Sequence, residues 1–95
     1  EVLQLKDYVS NENQFRRLKG RVIGRNGKSR NTIEELTECF ISVYGKTIAI
    51  IGHLQDVPSA RRAVEMLLEG ANHASVFKML EQRRRKLKIE RLKGL

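Results

Sequence analysis

Arg21-Val22-Ile23-Gly24-Arg25-Asn26-Gly27-Lys28-Ser29 is the stretch of this chain whose residue types and spacing can do chemistry. Two glycines three apart permit positive φ and let a ligand backbone approach with no Cβ in the way. Phe15, Leu18 and Val22 before the turn, and Ile33 and Leu36 after it, recur at helical spacing, which predicts a helix on each side. The first amides of a helix have no intrahelical partner and can face an anion. Arg25 and Lys28 add positive charge beside them. An ordinary turn is the competing reading, because Asn26-Gly27 is also a common hairpin signal; a hairpin, however, needs strands on both sides. Gly27-Lys28-Ser29 imitates the end of a nucleotide-binding P-loop. That motif needs a glycine five residues before Gly27, where Val22 stands, and it follows a buried strand rather than the basic run Arg16–Arg21. Chemistry alone therefore points to a phosphate-contacting loop and away from an NTPase.

The charge distribution agrees. Lys and Arg outnumber Asp and Glu 19 to 11 over 95 residues, a net charge of +8 that favours a polyanionic partner. All the excess lies in two clusters. Residues 16–30 hold seven basic residues (Arg16, Arg17, Lys19, Arg21, Arg25, Lys28, Arg30) and no acid, and residues 73–95 hold eight against Glu81 and Glu90. The second cluster centres on Arg83, Arg84, Arg85 and Lys86. It reads equally well as a solvated helix face and as a secondary basic patch.

The elements that must position the loop follow from pattern. Val2 to Asp7 reads as a weak strand. Asn11 with Gln14 forms a capping-box signature opening the first helix, which should stop at Gly24. Gly20 inside that helix costs about 1 kcal/mol relative to Ala, and suggests either a close backbone approach or a weak helix. Phe40 to Gly52 is rich in β-branched residues, and Gly45-Lys46 suits a two-residue type II′ turn. That register pairs Val43 with Ile48 and Ile41 with Ile50 on an apolar face, and Ser42 with Ala49 and Tyr44 with Thr47 on the other. Asp56 is a plausible N-cap for a helix carrying Val57, Ala60, Val64 and Leu67, and Gly70 stands where a C-terminal glycine cap belongs. A last helix is expected from Ala74 to Lys88, with Val76, Phe77, Leu80 and Leu87 as its apolar stripe and the basic run left free. Asn72–Ser75 is the candidate linker.

The loop and its flanks resemble the KH family. Ile23-Gly24-Arg25-Asn26-Gly27 followed by Ile33 is similar to the Ile-Gly-x-x-Gly signature, and strand-helix-helix-strand-strand-helix is the order of the type I version. The resemblance implies an α+β type I KH fold: a three-stranded antiparallel sheet packed by three helices over residues 1–72, with a C-terminal basic helix over 73–95. It implies that the loop clamps about four nucleotides of single strand by their backbone, and that bases lie between the first two helices and the second strand. Carried over by position, Gly24 and Gly27 shape the loop, Arg25 and Asn26 are its tip, Arg21 and Lys28 flank it, and Ile23 and Ile33 offer apolar surface to bases or core. Arg30 departs from the pattern, since an aliphatic residue usually stands there. It could meet a base or phosphate, or pair with Glu34 four residues on. The short hairpin loop implies a short far wall.

Lys19 to Gly24, Lys28 to Glu34 and Ala49-Ile50-Ile51-Gly52 more closely resemble the second KH domain of the partner-of-Nob, or dimethylase-interacting, ribosome-biogenesis proteins, archaeal members above all. That implies single-stranded RNA binding in small-subunit rRNA maturation near the rRNA 3′ end, with a Nob-type endonuclease or a translation factor as possible protein partners. A chain opening on Glu1 is then expected to lack an N-terminal KH domain. The alternatives are a protein-interaction module on the same fold, and single-stranded DNA binding.

Other function classes find little support. The single cysteine, Cys39, excludes an intramolecular disulfide and reads as a buried thiol. His53 and His73 stand twenty apart without acidic or thiol partners, so neither a metal nor another cofactor is expected. Tyr44 and Phe40 read as sheet or core residues. No nucleophile–base pair or carboxylate pair offers catalysis. With no apolar stretch long enough to span a bilayer and no secretory signal, a cytoplasmic protein is expected.

Overall fold

The computed structural model describes residues 1–94. Three strands, β1 (Val2–Gln4), β2 (Phe40–Tyr44) and β3 (Thr47–Ile51), form an antiparallel sheet in the order β1-β3-β2. The expected first strand is shorter than its apolar pattern suggests: Leu5–Asp7 closes into a 3-10 turn, and Leu5 dips into the core. The hairpin register is the expected one, Val43 opposite Ile48 and Ile41 opposite Ile50. Gly45 takes φ +55° while Lys46 stays at negative φ, as a type II′ turn requires. Leu3, Ile41, Ile48 and Ile50 are buried on the inner face. Phe40 and Tyr44 are sheet residues, but of the outer face, 73% and 83% exposed.

Three helices, α1 (Glu12–Ile23), α2 (Lys28–Thr37) and α3 (Val57–Leu68), pack with the sheet, and α4 (His73–Leu92) packs on α2 and α3. Asn11 Oδ1 accepts from the Gln14 amide at 2.9 Å, and Gln14 Oε1 accepts from the Ser10 amide at 3.3 Å, a capping box shifted by one residue on its return arm. Glu34 Oε2 accepts from the Ile41 amide at 2.8 Å, tying α2 to β2. α3 ends as expected. Gly70 adopts φ +99° and the Ala71 amide reaches back to the Met66 carbonyl at 2.8 Å, the six-to-one bond of a Schellman motif.

Two expectations change at α3 and α4. Asp56 stands at the N-cap of α3 but makes no side-chain cap. Its backbone is already helical, which turns the carboxylate from the first-turn amides toward Arg83. The last helix is five turns long rather than four, because it runs four residues past Lys88 to Leu92; at its start Asn72 Oδ1 accepts from the Ala74 and Ser75 amides at 2.7 and 3.3 Å. Val76 and Leu80 are fully buried in the same core as the sheet, so the 72/73 division marks a helix start, not a break in packing. From Glu81 to Gly94 no residue is buried, and α4 carries the molecule to 49 Å along one axis against 24 and 21 Å along the others. Leu87, expected on the apolar stripe, is only half-buried.

Cys39 is buried as expected, and burial pushes its thiol above the ordinary value. Gly52 makes room for it, since a Cβ there would stand 2.6 Å from Cys39 Sγ. Gly20 serves no such purpose: a Cβ there would meet nothing within 4 Å. Gly20→Ala is therefore expected to stabilise the fold by about 0.4–1 kcal/mol through helix propensity and lost unfolded-state freedom. Urea denaturation checks this, and a lower midpoint would contradict the open space at that position.

Candidate nucleic-acid interface

The loop between α1 and α2 is held by backbone. Gly24 adopts φ +75°, ψ 174°, a region open essentially to glycine, and its amide closes α1 on the Gly20 carbonyl at 2.8 Å. A Cβ at Gly24 would lie 2.7 Å from Ser29 Cβ and 2.8 Å from the Ser29 amide nitrogen, so the first turn of α2 presses directly on this glycine. Arg25 to Gly27 forms one 3-10 turn with Asn26 at φ 56° and Gly27 at φ +74°. The Gly27 amide donates to the Gly24 carbonyl and the Lys28 amide to the Arg25 carbonyl. Those two amides are spent inside the turn, so an anion would rely more on side-chain charge than the sequence suggests.

That charge is concentrated and unneutralised. α2 begins Lys28-Ser29-Arg30 with no acid in its first turn and no side-chain cap. Cations at the positive end of a helix dipole are unfavourable until an anion arrives. Among the described residues, Arg16, Arg17, Lys19, Arg25, Lys28 and Arg30 have no carboxylate within 4.0 Å, whereas Lys46, Arg61, Arg62 and Arg83 are all paired. Arg25, Asn26 and Lys28 are exposed and Ile23 is half-buried beside them. Arg30 does not pair with Glu34, whose carboxylate holds the Ile41 amide; it folds back so that Nη2 lies 3.5 Å from where a Gly27 Cβ would be.

Three expected site residues are placed elsewhere. Arg21 turns away from the loop: its Nε donates to the Leu67 carbonyl at 2.8 Å and its Nη2 to the Ala71 carbonyl, satisfying the end of α3. Ile33 is wholly buried, so it belongs to the core rather than to a base-contacting surface. Arg83 donates to Asp56 Oδ1 at 2.7 Å and to the Gln55 carbonyl at 3.2 Å, which withdraws it from the expected basic patch. Arg84, Arg85 and Lys86 remain exposed on the projecting half of α4.

The structure adds residues that pattern reading set aside. His73 Nε2 lies 2.8 Å from the Arg21 carbonyl oxygen. A carbonyl only accepts, so His73 donates to it through Nε2. The His73 ring meets Phe77 edge-on with centroids 6.0 Å apart. These two rings form one wall of a concavity that reaches Gly24, Arg25 and Lys28. Their spacing of four along a helix was the available signal.

Comparison with known proteins matches this arrangement. The model of the eukaryotic-type KH domain (KH-domain type I), in its version for the second such domain of PNO1 proteins, matches residues 1–85. A KH domain-containing protein of Methanocaldococcus jannaschii is 55% identical over 91 residues, which are 96% of this chain and 40% of that protein. A crystal structure of an Aeropyrum pernix protein of unknown function superposes with TM-score 0.90 at 43% identity, over 99% of this chain and 51% of that one. A chain in the a/eIF2alpha–aDim2p–rRNA complex of Pyrococcus horikoshii is 41% identical, with TM-score 0.83, over 90% of this chain and 46% of that one. Free Dim2p of the same organism gives TM-score 0.78 at 41% identity, over 86% of this chain and 47% of its own. The chain thus spans about half the length of the relatives it matches. With the turn geometry, the sheet order and a family model covering residues 1–85, the chain belongs to the type I KH-domain family.

Proposed function

We propose that this domain binds single-stranded RNA through the Gly24–Gly27 turn, and that its target is small-subunit rRNA during ribosome maturation. The observation that carries the reading is the cationic turn and start of α2: Arg25, Lys28 and Arg30, with Arg17 of α1 beside them, lack a carboxylate partner among the described residues. The related Pyrococcus horikoshii protein, crystallised with rRNA, supports the choice of RNA over DNA. The role is binding without catalysis, in the cytoplasm. Among the described residues, no helix is long and apolar enough to cross a membrane.

A protein partner is the second reading, and the outer sheet face favours it. Val2, Phe40 and Ile51 are 56%, 73% and 65% exposed there, side by side on neighbouring strands. A translation factor of the a/eIF2alpha kind or a Nob-type endonuclease fits that reading. Loss of partner capture by Phe40→Ser, with RNA affinity unchanged, would assign the face to protein.

The projecting half of α4 adds electrostatic affinity. A clamp neutralising four phosphates gives a salt slope near −3, at roughly −0.7 per phosphate on single strands. Mutating Arg84, Arg85 and Lys86 to Ala should flatten the slope by about one to two units and weaken all sequences equally. Titrating one oligonucleotide and its scrambled version at several salt concentrations tests this. An unchanged slope would remove the helix from the RNA interface.

A further inference from the structure

The concavity beside the loop is an open hollow of about 450 Å³ between α1, the start of α2 and the start of α4, lined among others by Arg17, Gly20, Lys28, His73 and Phe77. No strand residue lines it: it shares the loop with the groove in which the KH resemblance places the bases, but faces α4 instead of the second strand. Its chemistry is layered. Gly20 and Gly24 contribute backbone without side chains, and one wall is the Phe77 and His73 rings, inclined at 62° to one another. The rim is cationic: Arg17, Arg25 and Lys28 have no carboxylate partner among the described residues. Ser29, 4% exposed, also lines it, and its Oγ is the one buried side-chain polar atom among the described residues without a hydrogen-bond partner. Backbone without side chains, an aromatic wall and a cationic rim suit a ligand with a π face and flanking phosphates. Arg25 and Lys28 belong both to this rim and to the clamp loop, so a strand held by the loop needs no break to enter the concavity.

We propose that this concavity, built by the start of α4 against the loop, takes one further nucleobase of the bound strand, at a subsite added to the four-nucleotide clamp. Phe77 supplies the stacking surface. Arg17 and Lys28 neutralise the flanking phosphates. His73 holds the Phe77 wall to α1 through the Arg21 carbonyl. The subsite rests on the single-strand reading above and extends it from the clamp to a base-binding wall that α4 provides.

Fluorescence anisotropy with random-sequence RNA pools of four, five and six nucleotides tests it, using the 95-residue chain. Adding a base at one end should raise affinity by about 5- to 150-fold, the range of one stacked base. An abasic nucleotide at that end should recover only the smaller electrostatic part. Phe77→Ala should lose the increment and keep the affinity for the four-nucleotide pool, and Phe77→Tyr should keep both. Because Phe77 packs partly against the core, Phe77→Leu serves as the variant that preserves bulk without the ring; it too should lose the increment, with an unchanged melting temperature. An increment that survives in Phe77→Leu, or that the abasic nucleotide reproduces in full, overturns the subsite. So does a wild-type protein that binds four and five nucleotides equally. A wild-type protein that binds no RNA pool overturns the single-strand reading instead.

Discussion

Replacing Arg25 and Asn26 together with Asp is expected to lower single-stranded RNA affinity at least about 100-fold while leaving the fold intact. The double change shifts the loop tip by three charge units. At about 4 Å each unit interacts with a phosphate by roughly 1 kcal/mol in water-like surroundings and up to about 4 at a protein surface. Three units at the low end already give about 3 kcal/mol, or two orders of magnitude in affinity. The fold should not suffer. Both side chains are exposed, and Asp tolerates the left-handed conformation that Asn26 adopts at φ 56°. Two carboxylates at the start of α2 would favour its dipole, so the melting temperature should hold or rise slightly. Anisotropy titration paired with a thermal melt reads both quantities. Unchanged affinity in a folded variant would dismiss the loop as the RNA clamp.

Gly24→Ala should destabilise the protein by about 2–6 kcal/mol. Two costs combine. An L-residue forced to φ +75°, ψ 174° pays about 1–3 kcal/mol of backbone strain. The new methyl would also stand 2.7 Å from Ser29 Cβ and 2.8 Å from its amide nitrogen, and such overpacking costs about 1–3 kcal/mol more. Since backbone forms part of the obstacle, relief requires α2 to shift. At about 4–8 °C per kcal/mol for a domain of this size, the melting temperature should fall by roughly 10 °C or more. Gly27→Ala provides the contrast. It takes only the left-handed strain, with Arg30 Nη2 at 3.5 Å, so about 1 kcal/mol is expected. Equal melts for the two variants would contradict the close approach of α2 to Gly24.

The order of the elements, the register of the β2–β3 hairpin, the Gly70 cap of α3 and the glycine-bounded turn between α1 and α2 were all legible in the residue pattern. Each rests on residues a few positions apart: alternation with period two, a two-residue turn needing positive φ at Gly45, helical stripes, and glycines where a left-handed backbone is unavoidable. Local sterics decide these features. Where the long side chains go depends instead on contacts between distant parts of the folded chain. Arg21 sits in a run of cations and looks like a phosphate ligand, but its partners are carbonyls 46 and 50 residues away. Arg83 lies in the most basic run of the chain and is claimed by Asp56, 27 residues earlier. Glu34 is in helical register to pair with Arg30 and instead takes the Ile41 amide, because β2 arrives with a donor in need of an acceptor. The wall of His73 and Phe77 beside the loop likewise exists because α4 returns to pack Val76 and Leu80 into the common core. A flexible charged side chain has many partners within reach, and the packed chain selects among them by leaving some buried carbonyls and amides otherwise unsatisfied.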